Sequence, residues 1–193
     1  MAKSIYVFLF DGFSDWEIGY LTPEIRKNKD FELITFSKAG GTVRSMGGLK
    51  VSPDLRLDQV VPERIDVLIL PGGDAWESGS LNYIEELVRE LDKQNKTVAA
   101  ICAATTFMGS LGLLDGLKHT SNGLDYLKYF ALNYRGEKNY SAELAVRDRN
   151  LITATGIAPI EFAREIFLAI DLDKNYIEKW FQLFKHGVWM RSS

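Results

Sequence analysis

Cysteine is almost missing from this chain. Its 193 residues include one, Cys102, and only two histidines, His119 and His186. A lone cysteine cannot close an internal disulfide, which fits a reducing cytoplasm where a free thiol stays reactive. One cysteine and two distant histidines offer no metal-ligand spacing. A basic excess is missing too: 23 Lys and Arg stand against 26 Asp and Glu, for a formal net charge of −3. That balance argues against a nucleic-acid partner. No apolar run approaches the ~18 residues of a membrane helix, so no membrane partner is expected. The opening MAKSIYVFLF enters a strand-like run directly, without the length and small-residue cleavage site of a signal peptide. Pro71-Gly72-Gly73 is not a Walker loop, and Gly40-Gly41 with Gly47-Gly48 lacks the strand-turn-helix setting of a dinucleotide fingerprint. No cofactor is expected.

What is present describes an ordinary globular protein, 46% hydrophobic and 25% charged. The length suits a single domain over residues 1–193 with one core. Apolar, β-branched and aromatic runs at Ile5–Phe10, Phe31–Ser37, Asp66–Leu70 and Val98–Ile101 predict strands, most of them buried on both faces. Ala145–Arg147 and Leu151–Thr155 predict two more, joined by the turn Asp148-Arg149-Asn150. Helical spacing appears from Ser14 or Asp15 through Ile25, and over Asn82–Leu91, Leu124–Leu132, Pro159–Ile170 and Tyr176–Phe184. Residues 39–48 predict a short hairpin, and Leu55–Val61 a connection. Alternating strands and helices imply an α/β fold, a mostly parallel sheet with helices on both faces. Ligands of such sheets bind beyond the C-terminal strand ends, where the loops after Phe10, Leu70 and Ile101 would emerge together.

The stretch Thr97–Gly112, TVAAICAATTFMGSLG, is the most informative. A strand that breaks into a helix with a nucleophilic side chain at the break is a nucleophile elbow. The helix N-terminus then favours thiolate over thiol at Cys102, and Ala103 and Ala104 leave room for a substrate. The other reading is an ordinary buried cysteine.

Four segments in order, YVFLFDGFSDWEIG, DVLILPGGD, AAICAATTFMGSLGLLDG and NLITATGIAPIEFAREI, resemble the ThiJ/PfpI superfamily of intracellular cysteine peptidases, deglycase-chaperones and glutamine-amidotransferase-like domains. The resemblance implies a flavodoxin-like three-layer sandwich, usually a homodimer. It places Cys102 on the family's nucleophile and Glu17 on its acidic partner. Gly73, beside Gly72, and the Ala103 N–H fall on the oxyanion-binding position. A carboxyl beside a thiolate should have a raised pKa, so a protonated Glu17 can donate to the sulfur or act as general acid. Two histidine positions of the family are filled otherwise, one by Ala103 and the other by Asn122. His119 lies three residues before Asn122, in an expected strand (Lys118–Thr120), and is the candidate base. Trp76, just after the glycine pair, is the candidate pocket wall.

These residues predict an intracellular cysteine-nucleophile enzyme acting on a small-molecule or peptide carbonyl. The leading form is a peptidase- or amidase-like hydrolase. One alternative is glyoxalase- or deglycase-like processing of reactive aldehydes. Another is a redox-sensing or chaperone-like stress protein working through oxidation of Cys102.

Overall fold

The structure, a computed structural model, describes residues 2–190. The chain runs β1 (Lys3–Phe8), α1 (Asp15–Ile18), α2 (Leu21–Lys27), β2 (Phe31–Ser37), β3 (Val43–Arg44), β4 (Lys50–Val51), β5 (Leu55–Arg56) and β6 (Val67–Leu70). It continues with α3 (Glu85–Lys93), β7 (Thr97–Ile101), α4 (Ala104–Ser110), α5 (Leu124–Phe130), β8 (Ala145–Asp148), β9 (Leu151–Ala154), α6 (Pro159–Ala169) and α7 (Lys174–His186). The main sheet has the order β5-β2-β1-β6-β7-β9-β8. Every neighbouring pair in it is parallel except β8 with β9. Its long parallel strands, β2-β1-β6-β7-β9, follow the flavodoxin-like order, in which the order reverses at β1 and β6.

The central strands are apolar throughout because both of their faces are covered. Every residue of β6 and β9, and Val98–Ile101 of β7, is buried. On β7 the small Ala99 and Ala100 let α4 pack close on the strand, and α6 packs there as well. One layer holds α1, α2, α6 and α7, with Phe162, Ala163, Ile166 and Phe167 of α6 facing inward. The other holds α3, α4 and α5. Helix α3 turns Leu87, Val88 and Leu91 to the core, and α4 buries everything from Ala104 to Gly109. The last helix begins where the Asp173 side chain accepts the Tyr176 N–H at 2.8 Å, and it ends at left-handed Gly187.

Three local expectations are corrected. The helix expected through Ile25 is split at Gly19-Tyr20 into α1 and α2. The expected connection Leu55–Val61 opens with β5, an edge strand on β2. Lys118–Thr120 is not a strand but a single bridge, in which the Ser141 N–H donates to the His119 carbonyl at 2.8 Å. The hairpin is present as β3 with β4, turning through Gly47-Gly48.

Phe162 is fully buried between α6 and the sheet. Phe162→Ala should lower stability by about 3–5 kcal/mol, measured by urea denaturation. A loss below about 1 kcal/mol would contradict this packing.

Candidate active site

Strands β1, β6, β7 and β9 end on the same edge of the sheet, and their loops build one crevice. Cys102 follows β7 at φ +59°, in the left-handed region. A side chain there costs about 1 to 3 kcal/mol, so the surroundings must hold it. The Cys102 N–H donates to the Ala154 carbonyl of β9 at 3.0 Å, and its carbonyl accepts from the Thr105 N–H at 3.1 Å and hydroxyl at 2.6 Å. The chain is pinned on both sides of the bend, and the half-buried thiol is lifted above the sheet edge.

Glu17 reaches the sulfur from α1. It is fully buried, and its Oε2 accepts the Gly72 N–H at 2.6 Å. Oε1 has no hydrogen-bond partner among the described residues, and the Cys102 thiol and the Ser14 hydroxyl neighbour the carboxyl. Burial first, opposed by the Gly72 N–H and the two neighbouring side chains, pushes the carboxyl up to about 7. Burial and then the Glu17 charge push the thiol up to about 11, against the pull of the Asn122 amide and the Ala103 N–H. The two groups titrate as a pair. With the proton on Glu17, the carboxylate charge that opposes the thiolate is gone. The sulfur then faces three donors: Asn122, Ala103 and the acid itself.

The expected pocket residues are distributed as follows. Gly72 lies against both reactive groups: a Cβ there would come within 2.6 Å of the Cys102 Cβ and 2.8 Å of Glu17 Oε2. Its N–H is committed to Glu17. Gly73 sits at φ +149°, where a Cβ would strike the Gly12 carbonyl at 2.7 Å, and its N–H bonds no other described residue. Ala103 directs its N–H at the sulfur. Asn122 donates from Nδ2 to Sγ at 3.2 Å.

Two expectations are corrected. His119 is not brought to the sulfur. It is fully buried, with Nδ1 against the Leu117 carbonyl at 2.7 Å and Nε2 against the Tyr134 hydroxyl at 2.6 Å. Burial lowers its pKa, as for a neutral core imidazole. Trp76 is not a pocket wall. It is 3% exposed, stacks 5.0 Å from Phe107, and donates its indole N–H to the Pro71 carbonyl at 2.8 Å, bracing the glycine loop from below.

Sequence reasoning missed Gly156, where a Cβ would lie 2.8 Å from Sγ. Its segment had been singled out, and the Thr-Gly step just beyond a buried strand was the available signal. Trp16, 47% exposed, reaches the Gly156 carbonyl with its indole at 3.4 Å, and Ile157 is 83% exposed beside it. Among the described residues, no cluster of three or more His, Cys, Asp or Glu is placed to hold a metal ion.

A family model for the DJ-1/PfpI family matches residues 3–169. The chain belongs to the DJ-1/PfpI family. It is 37% identical over 192 residues to the uncharacterized protease YoaZ of Bacillus subtilis (strain 168), covering 95% of this chain and 91% of that one. It is 31% identical over 160 residues to the protein/nucleic acid deglycase 2 of Escherichia coli (strain K12), covering 80% and 89% of the two chains. The crystal structure of a thiJ/pfpI family protein from Bacillus anthracis superposes with a TM-score of 0.91 at 40% identity, covering 97% and 92%. Protease and deglycase are thus both names carried within this family.

The buried pair ties stability to pH. Below about 4.5, Glu17 is protonated folded or unfolded and costs nothing. As pH rises to about 7, the unfolded chain loses a proton that the folded chain keeps, so stability falls and then levels off. Glu17→Gln keeps an acceptor for Gly72 without the charge. It should be more stable than the parent by about 2–3 kcal/mol at pH 8, and the gap should close toward pH 4.5. Urea denaturation across that range measures it, and a gap independent of pH would contradict the assignment.

Proposed function

We propose that this chain is a cysteine-nucleophile enzyme that attacks carbonyl carbon, a hydrolase of the peptidase or amidase type with Cys102 as nucleophile. One observation carries the reading: a thiol held at φ +59° on the elbow beside a buried carboxyl, one of whose oxygens has no hydrogen-bond partner among the described residues. Protease-named relatives support it.

In the first step the thiol gives its proton to the ionised Glu17 as Sγ bonds to the substrate carbonyl carbon, and the C=O π pair moves to oxygen. The N–H groups of Gly73 and Ala103 are the donors available for that oxyanion. The C–N bond then breaks, and the leaving nitrogen takes the proton from Glu17, giving an acyl-enzyme. Water attacks the acyl carbon and gives its proton to the ionised Glu17, and the S–C bond breaks to release the thiolate, which takes its proton back from Glu17. One acid serves both halves of the cycle, because no imidazole reaches the sulfur.

That economy also favours a second reading, processing of reactive aldehydes. Adding a thiolate to an aldehyde needs one proton on the alkoxide and no leaving amine, which a single carboxyl supplies. Deglycase-named relatives support this form. The same proposal takes the chain to be one domain that works as a homodimer in the cytoplasm. The lone thiol supports the compartment, and the exposed Trp16, Met46, Leu49 and Ile157 support an interface.

Turnover of an amide and peptide panel, and of methylglyoxal, should vanish in Cys102→Ala. It should fall about 100-fold or more in Glu17→Gln, where no proton can be passed. Turnover that survives in Cys102→Ala would overturn the proposal. Consumption of methylglyoxal alone would select the aldehyde form.

A further inference from the structure

Two hydroxyls beside the elbow take no part in the proton transfers. Thr105, in the first turn of α4, and Ser121, in the segment after that helix, are both fully buried. Their oxygens lie 2.6 Å apart, a contact in which either could donate. The Thr105 oxygen is also 2.6 Å from the Cys102 carbonyl. That carbonyl decides the direction. It can only accept, and Thr105 has a single hydrogen to give it. The Thr105 oxygen then accepts from Ser121, so donation runs from Ser121 to Thr105 to Cys102.

The residue after Ser121 is Asn122, whose Nδ2 donates to Sγ at 3.2 Å. The contacts therefore close a ring that begins and ends on Cys102. It passes from the Cys102 carbonyl through the two hydroxyls, along the peptide to Asn122, and back from the carboxamide to the sulfur. Asn122 itself is solvent-exposed, and the ring anchors it from the buried side. Its Oδ1 accepts the Gly156 N–H at 2.9 Å, a group that can only donate, which fixes the end of the amide that meets sulfur. The neighbouring Thr120 N–H donates to the Thr153 hydroxyl of β9 at 2.9 Å. The segment is thus tied to the sheet through Thr120 and to the elbow through Ser121. The same Thr105 hydroxyl helps pin Cys102 in its left-handed bend, so one device serves both the bend and the donor.

We propose that Thr105 and Ser121 are positioning residues, a buried clasp of two hydroxyls that fastens the Cys102 peptide to the neighbour of Asn122 and so holds the amide donor at the sulfur. Both act through Asn122. This deepens the reading of Cys102 as nucleophile and rests on it, but it concerns the resting thiol and needs no substrate.

The test is iodoacetamide alkylation of the full chain at pH 8 to 9, read by mass, which is unambiguous because Cys102 is the only thiol. The rate there follows the thiolate fraction. Asn122→Ala removes a donor to the thiolate and should slow alkylation about tenfold. Thr105→Val and Ser121→Ala should each slow it about threefold, since the amide keeps its reach but loses its fixed place. Thr105→Ser keeps the hydroxyl and should restore the parental rate. Thr105→Val combined with Asn122→Ala should be no slower than Asn122→Ala alone, because the clasp works through the amide. Where Thr105→Val folds poorly by urea denaturation, Ser121→Ala carries the test, alone and combined with Asn122→Ala. Additive slowing, or lost stability with an unmoved rate, would overturn the proposal. Slowing of the expected kind in a chain with no turnover would leave the clasp standing and remove only the enzymatic reading.

Discussion

A methyl group on Gly72 would lie 2.6 Å from the Cys102 Cβ and 2.8 Å from a Glu17 oxygen. The backbone after β6 therefore runs in direct contact with both reactive side chains, and only a hydrogen at that Cα permits it. The same residue donates its N–H to Glu17, and its carbonyl accepts the Ser14 N–H at 2.9 Å. One peptide segment thereby ties the loop after β1, the helix α1 and the elbow into a single unit. Move it by half an ångström and the acid leaves the sulfur, although every strand remains in place. Parallel strands set the coarse position, since β1, β6 and β7 deliver their loops to one edge. The glycine sets the fine one.

The site is costly to hold. A cysteine in the left-handed region and a carboxyl without solvent each oppose folding by an amount comparable to a good core side chain. The sheet offsets this with strands buried on both faces, and with the aromatic cluster of Phe8, Phe10, Trp76 and Phe107 directly beneath the glycine loop. Trp76 shows how position in sequence misleads here. Adjacent to the glycines, it serves the site from the core side, because its large ring fills the space where the strands end. The wet side is left to Trp16 and Ile157.

Long apolar runs made the sheet legible in the sequence, since a strand covered on both faces leaves no polar alternation to confuse with a helix. The elbow was legible because small residues flank its thiol. The short edge strand β5 was not: two residues paired on one side carry no periodicity. The break at Gly19-Tyr20 was hidden by continuous helical spacing across it. Glu17 was accessible only through family resemblance, for a carboxylate between Trp16 and Ile18 reads equally well as a solvated position. Cys102 read as a thiol activated by a helix end. In the structure burial dominates, and the activation has to come from where the neighbouring proton resides.

The absence of a nearby imidazole then shapes the chemistry more than any residue present. A histidine beside the thiolate would accept its proton and stay as a cation, leaving a nearby carboxylate ionised. Asn122 can do neither, so the proton that moves at the sulfur is the one shared by the Glu17–Cys102 pair. Burial raises both groups, and the first negative charge settles on the carboxyl, which ionises at about 7, well before the thiol at about 11. Sulfur has the Asn122 and Ala103 N–H groups, whereas Glu17 Oε1 has no aligned donor and Oε2 has one. Hydrogen bonds to a charged form favour that form, so the donors on sulfur narrow the gap between the two groups without reversing it. Each donor that faces the sulfur therefore also eases the passage of the thiol proton to the ionised acid, and the orientation of one carboxamide becomes a lever on both.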